Sequence, residues 1–314
     1  MFIRKREALT CEITSRIPCT GLLLPVGRVT EPIQATKWTV VVQQKWLPSG
    51  TENCYMTTVA TSLSAISNGD VASPESTTIL SRHRRVWERK PSLRAVYHSY
   101  FRMVVERLAH TGPTVELGCG PGYFHEYHPD SIPTDVAPSP WARRVVNACQ
   151  MPFDNGSVGN LVLVDVFHHI ARPLDFLNEA MRVLRPGGRV VMLEPWTSAF
   201  GAFFYRYVHH EGSRGDADPI HPFADEKDAW DGNAALVRIW FDPRRGAYRE
   251  SLPDGLRLFE TQLIPAMSWL ATAGFQEWQP IPTALQPLTR WFEVIAAPFS
   301  RWIALRALIT MERA

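Results

Sequence analysis

The stretch Val115–Gly122, which reads VELGCGPG, decides the fold class of this chain of 314 residues. A short apolar run leads directly into three glycines at alternate positions, Gly118, Gly120 and Gly122. Glycine accepts positive φ and lets the backbone approach a ligand closely. The pattern predicts a strand over Thr114–Leu117 and then a ligand-binding turn at the edge of a sheet. A tight turn without a ligand is the alternative that remains open.

The spacing of the glycines argues against a dinucleotide site. A dinucleotide fingerprint reads G-x-G-x-x-G, which would place its third glycine where Tyr123 stands. An NAD(P)-dependent oxidoreductase on a related sheet is nevertheless one alternative function that stays open. A catalytically silent protein that kept the fold is another.

Strands and helices alternate after the glycine turn. Apolar runs at Leu161–Val166 and Arg189–Leu193 are typical of parallel strands covered on both faces, and Pro173–Leu184 has the period of an amphipathic helix. A second strand ends at Asp135, and a helix is predicted over Ser139–Val146. This order predicts an α/β fold with a Rossmann-like, doubly wound, mostly parallel sheet and helices on both faces.

The flanking segments divide the chain. Helical spacing begins near Thr78, so we expect residues 78–314 to form one domain. Residues 1–77 are predicted to be disordered, with a short strand at Trp38–Gln43, or to lie upstream of a true start such as Met56. Residues 196–255 are irregular and rich in aromatic side chains. They are predicted to be a lid insertion that follows the strand over Arg189–Leu193, the fifth of the sheet, and covers the ligand site. The predicted elements beyond it are strands over Leu256–Leu263 and Ala304–Glu312 and helices over Met267–Ala273 and Pro287–Arg301.

Composition excludes several classes of protein. With 33 Lys and Arg against 31 Asp and Glu, the net charge of +2 provides no strong field for nucleic acid. The apolar runs are too short to span a bilayer, and no signal peptide is apparent, so a cytoplasmic location is expected. The cysteines form no C-x-x-C pair, so neither a disulfide framework nor a metal site is predicted. They are Cys11, Cys19, Cys54, Cys119 and Cys149.

Five motifs in a fixed order between Thr114 and Pro195 carry a resemblance to a known family. Glu116–Gly122 resembles the first motif of class I S-adenosylmethionine-dependent methyltransferases, and Asp135 stands where that family has its ribose-binding acid. The other three motifs are Asn147–Phe153, which resembles the adenine segment D-A-x-x-L-P-F, Leu163–Ile170, which resembles the fourth-strand motif, and Val183–Gly188, which resembles the L-x-P-G-G turn.

Two departures from the family pattern stand out. Only residues 123–135 separate the glycine turn from the end of strand two, so the helix between them is nearly absent and one side of the cofactor pocket is expected to be open. Asn147 replaces the usual aspartate. More narrowly, the stretch from Trp87 onward is similar to bacterial methyltransferase-domain proteins often linked to surface-polysaccharide genes.

The resemblance implies S-adenosyl-L-methionine as cofactor. Backbone N–H groups of the turn would hold its carboxylate, Glu116 its ammonium and Asp135 its ribose hydroxyls, unless Asp135 is only a turn residue. Asn147 would accept a hydrogen bond from the adenine amino group, and Asp165 would close the pocket. The predicted cofactor-binding set is Glu116, Gly118, Cys119, Gly120, Gly122, Asp135, Asn147, Ala148 and Asp165.

The predicted reaction is methyl transfer to a small-molecule, lipid-linked or saccharide-linked acceptor, with oxygen as the expected methylated atom. A hydroxyl acceptor needs a general base, and the candidates at predicted strand ends are His169 first, then His168 and Glu194. A hydrogen-bonded structural role is the alternative for His169.

Aromatic residues beyond strand five suggest how an acceptor could be covered. The segment 196–210 is dense in aromatic side chains, which either pack in the core or shield a lipid-linked or aromatic acceptor. The segment Leu288–Leu308 carries too many charges to span a membrane but could lie against one. Peripheral membrane contact is therefore a possible property.

Overall fold

A computed structural model describes residues 12–15, 42–47, 55–60, 74–209, 212–223, 230–244 and 246–314. The chain divides into two units, residues 1–71 and 72–314. In the first unit, strands β1 (Glu12–Ser15), β2 (Val42–Leu47) and β3 (Tyr55–Ala60) form an antiparallel sheet in the order β1-β3-β2. The predicted disorder of residues 1–77 and the predicted strand at Trp38–Gln43 fall mostly outside the described residues and stay predictions.

The second unit alternates strands and helices. Its strands are β4 (Thr114–Leu117), β5 (Ile132–Asp135), β6 (Arg144–Val145), β7 (Val158–Val164), β8 (Leu184–Pro195), β9 (Leu256–Ile264) and β10 (Arg306–Arg313). Its helices are α1 (Pro74–Arg89), α2 (Pro91–Val105), α3 (Tyr123–Tyr127), α4 (Pro173–Val183), α5 (Ala199–Tyr207), α6 (Leu236–Phe241), α7 (Tyr248–Ser251), α8 (Met267–Leu270), α9 (Gln286–Ala296) and α10 (Ser300–Ile303).

Seven strands form one mixed sheet in the order β6-β5-β4-β7-β8-β10-β9. The pairs from β6 to β8 are parallel, whereas β10 runs antiparallel to both of its neighbours. Because parallel strands of this kind end at one edge, the loops after β4, β5, β7 and β8 lie together there, where ligands bind in open α/β sheets. The Rossmann-like sheet that the sequence predicts is thus confirmed.

Alternating side chains of the central strands enter two separate apolar cores. In β7, Leu161 and Leu163 join the core on the α4 face, while Val162 joins the core on the α2 face. Side chains of successive strand residues point to opposite faces, so a continuous apolar run is what a strand covered on both sides needs. Phe176 of α4 and Phe101 of α2 are both fully buried, which confirms helices on both faces.

The helix predicted over Ser139–Val146 is wrong. Residues 140–141 form a turn, and Arg144–Val145 instead form the edge strand β6. The backbone N–H of Arg143 donates to the Pro133 carbonyl at 2.8 Å, and that of Val146 donates to the Asp135 carbonyl at 2.7 Å. These bonds to the neighbouring strand satisfy the backbone groups that a helix would have paired internally.

A buried lysine connects the helices before the sheet to a loop far along the chain. Lys90 lies between α1 and α2, and Pro91 after it is the first residue of α2. Its ammonium is within hydrogen-bond distance of four backbone carbonyls in the segment 272–278, including Gly274 at 2.9 Å and Gln276 at 2.8 Å. An ammonium has three donors, so these carbonyls share them, and the contact fixes the loop against the helix junction.

Candidate functional site

The glycine turn after β4 has a backbone that only glycine adopts easily. Gly118, Gly120 and Gly122 have φ of +68°, +49° and +77°. A Cβ at Gly118 would come within 2.5 Å of the Val166 side chain, so this position also needs glycine for close packing. At Gly120 the nearest atom to such a Cβ is 3.7 Å away, in Leu80, so space remains above the turn.

Glu116 is a buried carboxylate with one oxygen that nothing in the described chain satisfies. The residue is 3% exposed, and its Oε2 has no hydrogen-bond partner among the described residues. Burial, and then the nearby charge of Asp135, raises the pKa of Glu116 well above its usual 4.5, while a hydrogen bond from the His125 backbone acts in the opposite direction. A buried carboxyl oxygen without a partner is costly whether or not the group is ionised, so this oxygen indicates a missing polar group or cation.

Asp135 ends β5 and faces the same turn. Its Oδ2 accepts a hydrogen bond from the Gly120 N–H at 2.9 Å, and its Oδ1 accepts one from the Ala137 N–H at 3.1 Å. Burial raises its pKa, and the backbone N–H donors oppose that shift. The Val136 side chain beside it is 52% exposed and offers an apolar surface that sequence reasoning missed.

Together these groups fit the cofactor that the resemblance implies. S-adenosylmethionine carries an ammonium, a carboxylate and a ribose diol at separate points. Glu116 would supply an acid for the ammonium, and space for the carboxylate end remains above Gly120. The N–H groups of Cys119, Gly120 and Gly122 already donate within the chain, so they do not provide the free donors that the sequence predicts for that carboxylate. Asp135 lies at the end of the neighbouring strand, as a ribose acceptor requires.

The remaining predicted cofactor residues lie in different settings. Asn147 is exposed, and its Oδ1 accepts a hydrogen bond from the Cys149 N–H at 2.9 Å. Ala148 is half-buried against the core on the α4 face. Cys119 is buried, and burial raises the pKa of its thiol, so it is a packing residue rather than a nucleophile.

Asp165 is held by groups distant in sequence. It has a φ of +58° just after β7, where its Oδ1 accepts a hydrogen bond from Arg306 and its Oδ2 accepts one from the Tyr97 hydroxyl at 3.3 Å. Arg306 is 2% exposed, its guanidinium lies over the rings of Tyr97, Tyr100 and Trp269, and its Nε has no partner among the described residues. Burial by itself would lower the pKa of Arg306. The charge of Asp165 and the neighbouring tyrosines act in the opposite direction, and the net pKa of Arg306 is raised.

A carboxylate–histidine pair joins the end of β8, which carries Glu194, to the turn after β7, which carries His168. Glu194 accepts hydrogen bonds from the backbone N–H groups of Val166 and Phe167 at 2.8 and 2.7 Å, and its other oxygen lies 2.7 Å from His168 Nδ1. Both partners are buried, at 0% and 1% exposure. The structure therefore brings two of the three candidate bases into direct contact.

His169 is the more accessible histidine. It is half-buried, its ring centre lies 4.1 Å from that of His168, and its Nδ1 lies 3.1 Å from the Asp231 carbonyl oxygen. A Cβ at Gly232 would approach both rings to within 3.1 Å, and the Asn233 N–H donates to the His168 carbonyl at 2.9 Å. The segment 230–233 therefore covers both histidines.

The predicted lid segment, residues 196–255, contributes aromatic side chains to the core as well as to the surface. Trp240 and Phe241 of α6 are fully buried in the core on the α4 face, and Trp196 and Tyr205 are also buried. Phe203 and Tyr207 of α5 are more than half exposed. Core packing therefore accounts for some of the aromatic residues of this segment but not for all of them.

The short helix α3 borders an open cleft. It has five residues, as the spacing predicts, and the cleft beside it has a volume of about 440 Å³. The lining includes Gly122, His125, Trp141 and Arg143. Glu116 and Asp135 are not part of it, so the cleft flanks the glycine turn on the side that the shortened helix leaves uncovered.

Metal-binding clusters and membrane-spanning helices are both missing from the described part of the chain. No group of three or more His, Cys, Asp or Glu side chains is arranged there to hold a metal ion. No helix among the same residues combines the length and the apolar character needed to cross a membrane.

A family model matches the part of the chain that carries most of the candidate site. Residues 115–192 match a family described as a methyltransferase domain. The chain is 33% identical over 179 residues, 52% of its length, to an uncharacterized methyltransferase of Mycobacterium sp. (strain JLS), and 49% identical over 49 residues to an uncharacterized 37.1 kDa transposon protein of Streptomyces fradiae. It spans 62% and 14% of the length of these two relatives respectively.

A solved structure is similar at a lower level. Geranyl diphosphate C-methyltransferase from Streptomyces coelicolor A3(2) is 16% identical, with a TM-score of 0.41 over 69% of this chain and 76% of that one. The family match covers the glycine turn, Asp135, Asp165 and both histidines, and it lies on the sheet described above. Residues 115–192 are thus similar to a methyltransferase-domain family, and they lie on a Rossmann-like sheet.

Proposed function

We propose that this chain transfers a methyl group from S-adenosyl-L-methionine to a small-molecule acceptor. The observation that carries the proposal is the buried Oε2 of Glu116, which has no hydrogen-bond partner among the residues that the structure describes and lies beside the glycine turn. A family match over residues 115–192 supports it from the sequence side. In this proposal the cofactor's ammonium supplies the partner that Oε2 lacks among the described residues.

Each group of the turn has a defined task in this proposal. When bound, the cofactor supplies an activated methyl group on a sulfonium. Glu116 takes the ammonium, and Asp135 accepts hydrogen bonds from the ribose hydroxyls. Val136 offers an apolar surface beside the adenine, with Asn147 and Ala148 at its rim. The protein's contribution to rate is then alignment of acceptor and methyl group and exclusion of water.

Binding of S-adenosylhomocysteine tests the proposal directly. We expect calorimetry to show one site on the wild-type chain, and Gly120→Asn to weaken it by about a hundredfold or more, roughly 2.7 kcal/mol. Asparagine tolerates positive φ, so the loss would come from filling the space above the turn rather than from strain alone.

Gly187→Asn is the matched control. Gly187 has a φ of +74°, and a Cβ added there would meet nothing within 4 Å, so this variant carries the same backbone change in open space. We expect its affinity to equal that of the wild type. Equal affinity in Gly120→Asn, no binding by the wild type, or tight binding of NADH instead would count against the proposal.

We propose a hydroxyl as the acceptor class because two histidines lie side by side after β7, where one of them would act as the base. A carbonyl oxygen can only accept, so the Asp231 carbonyl accepts a hydrogen bond from Nδ1 of His169 and orients its ring. Glu194 orients His168 in the same way. His169 is the more exposed of the two and is our first candidate for the base, with His168 and Glu194 as its support.

Substituting each histidine should separate these roles. We expect His168→Gln to lower the free energy of unfolding by about 2 kcal/mol, because a buried carboxylate loses a donor, and His169→Gln to change it by less than about 1 kcal/mol. By contrast with its small effect on stability, His169→Gln should reduce the turnover of a hydroxyl acceptor by about 10²–10⁴-fold and leave cofactor affinity unchanged.

Urea unfolding and S-adenosylhomocysteine production over a panel of hydroxyl acceptors would measure these effects. If His169→Gln retained full turnover at every pH, it would not be the base. If the wild type bound cofactor but turned over no acceptor of the panel, the silent-protein alternative would gain support.

The insertion suggests how the acceptor is enclosed. Segment 230–233 lies against the rings of both histidines, so it stands close to any acceptor that reaches His169. We propose that this part of residues 196–255 acts as the lid. The exposed aromatic side chains of α5 are suited to contact a lipid-linked or saccharide-linked acceptor. With a lipid-linked acceptor, the reaction would take place near a membrane surface.

A further inference from the structure

The helices α9 and α10 expose an apolar stripe that the cores do not use. Leu288, Trp291, Phe292 and Ile295 recur at positions i, i+3, i+4 and i+7 of α9, and each is 49–68% exposed. Phe299 and Trp302 continue the series through α10 at 56% and 45% exposure. A surface helix normally turns such a stripe toward a core.

The opposite side of α9 already packs against the domain. Gln286 and Ala296 are buried, Gln286 Nε2 donates to the Ala271 carbonyl at 3.3 Å, and Glu293 accepts a hydrogen bond from the Ser268 N–H at 2.8 Å. The helix is therefore seated with its apolar stripe outward, and the exposure is a property of the folded domain.

Helix α5 extends the same surface. Its Gly201 lies against the Ala304 carbonyl at the end of α10, and the Tyr205 hydroxyl donates to the Leu305 carbonyl at 2.8 Å. On its outer side Phe203 and Tyr207 are 56% and 67% exposed. We call the combined surface the aromatic face; it comprises Leu288, Trp291, Phe292, Ile295, Phe299 and Trp302 of α9–α10 with Phe203 and Tyr207 of α5.

The charges around the aromatic face are basic. Arg206 and Arg301 are exposed, and their guanidinium groups lie 5.5 Å and 3.6 Å from the ring centres of Tyr207 and Trp302. In segments 199–209 and 285–303, all of which the structure describes, the single carboxylate is Glu293, which is half-buried and bound to Ser268. Within these two segments, exposed cations therefore occur without exposed anions.

This distribution of charge selects one kind of occupant. A symmetric dimer would bring the face against its own copy, so arginines would meet arginines with no exposed carboxylate to pair with them. A bilayer with anionic lipids supplies phosphates at the height where Arg side chains reach and an apolar boundary for Trp, Phe and Leu. We propose that the aromatic face docks the protein on the surface of an anionic lipid bilayer.

Vesicle sedimentation with the full chain tests this proposal without any acceptor. We expect the wild type to sediment with vesicles of phosphatidylcholine and phosphatidylglycerol and much less with phosphatidylcholine alone. The double variant Trp291→Ala/Phe292→Ser should partition at least about tenfold more weakly, because two side chains that would enter the bilayer boundary are removed.

Two matched controls address position and charge. Phe259→Ser removes an aromatic ring of similar exposure, 57%, on strand β9 outside the aromatic face, and should bind like the wild type. Arg206→Gln/Arg301→Gln should weaken binding to the anionic vesicles by about fivefold per arginine, whereas Arg102→Gln, an exposed arginine of α2, should not.

S-adenosylhomocysteine affinity, measured on the same variants, separates this proposal from the proposed function. Unchanged affinity with lost vesicle binding supports the docking face even if no acceptor is ever methylated. Absence of wild-type binding to anionic vesicles, or equal binding of Trp291→Ala/Phe292→Ser, overturns it. A dimer in sedimentation velocity that Trp291→Ala/Phe292→Ser abolishes also overturns it, because a second copy would then cover the face.

Discussion

Binding of S-adenosylhomocysteine is expected to release a proton from Glu116. Without a ligand, burial and the charge of Asp135 raise the pKa of Glu116 well above 4.5, so the carboxyl keeps its proton over a pH range in which an exposed glutamate is ionised. A ligand ammonium favours the ionised form. Between the usual and the raised pKa, binding should therefore be coupled to loss of one proton, and affinity should increase with pH through that range.

Calorimetry in buffers with different ionisation enthalpies measures this coupling. The number of released protons should approach one at the acid end of the range and fall to zero above the raised pKa. In Glu116→Gln the release should disappear and affinity should fall by about tenfold to a hundredfold, because a charged hydrogen bond contributes about 1.5–3 kcal/mol. Glu126→Gln, which alters an exposed acid paired with Arg84, should leave both quantities unchanged.

In the ligand-free protein, the raised pKa of Glu116 should make the free energy of unfolding depend on pH. The folded state binds more protons at Glu116 than the unfolded state does, so the stability that this group contributes declines as the pH rises from 4.5 through the raised pKa. Glu116→Gln lacks this decline and should be the more stable protein at the upper end of the range. Identical pH dependence of urea unfolding in the two proteins would contradict the assignment.

The second large effect concerns the ion pair between Asp165 and Arg306. We expect Asp165→Asn to lower the free energy of unfolding by about 3 kcal/mol, because it leaves a buried guanidinium without its counter-charge. Asparagine tolerates the positive φ of this position, so backbone strain should add little. Arg306→Met should cost less, since the Asp165 side chain is about one-third exposed and can be hydrated.

A double-mutant cycle followed by urea unfolding checks this asymmetry. The combined variant Asp165→Asn/Arg306→Met should recover most of the loss caused by Asp165→Asn alone. As a control, Asp175→Asn breaks an exposed pair with Arg172 and should change stability by less than about 1 kcal/mol. An Asp165→Asn protein as stable as the wild type would show that Arg306 finds another partner. Cofactor affinity of the combined variant tests whether Asp165 also closes the cofactor pocket.

Local patterns were sufficient to predict the strand and turn at the heart of the site. Thr114–Leu117 was expected from an apolar run and the glycines from their need for positive φ, and both follow from interactions within a few residues. Glu116 and Asp135 came from the family resemblance, and the structure places both beside Gly120. The unpaired oxygen of Glu116 could not be foreseen, because it depends on which elements close over β4.

Long-range contacts explain what sequence reasoning missed. Asp165 and Arg306 are 141 positions apart, and only the placement of β10 beside β8 brings them together. The helix expected over Ser139–Val146 failed for a similar reason, because pairing with β5 outweighed a local apolar pattern. The contact of Lys90 with segment 272–278 likewise joins parts of the chain that no local signal connects.

The position of β10 between β8 and β9 has a consequence for how the chain leaves the ribosome. β9 is synthesised before β10, and in the described sheet it pairs with β10. Until β10 has been synthesised, the backbone groups of β9 and of the β10-facing edge of β8 therefore lack their hydrogen-bond partners. Open edges of this kind recruit strands from other molecules. Slow translation between these two strands should therefore lower the yield of native protein in cells, and chaperones that shield nascent strands should restore it.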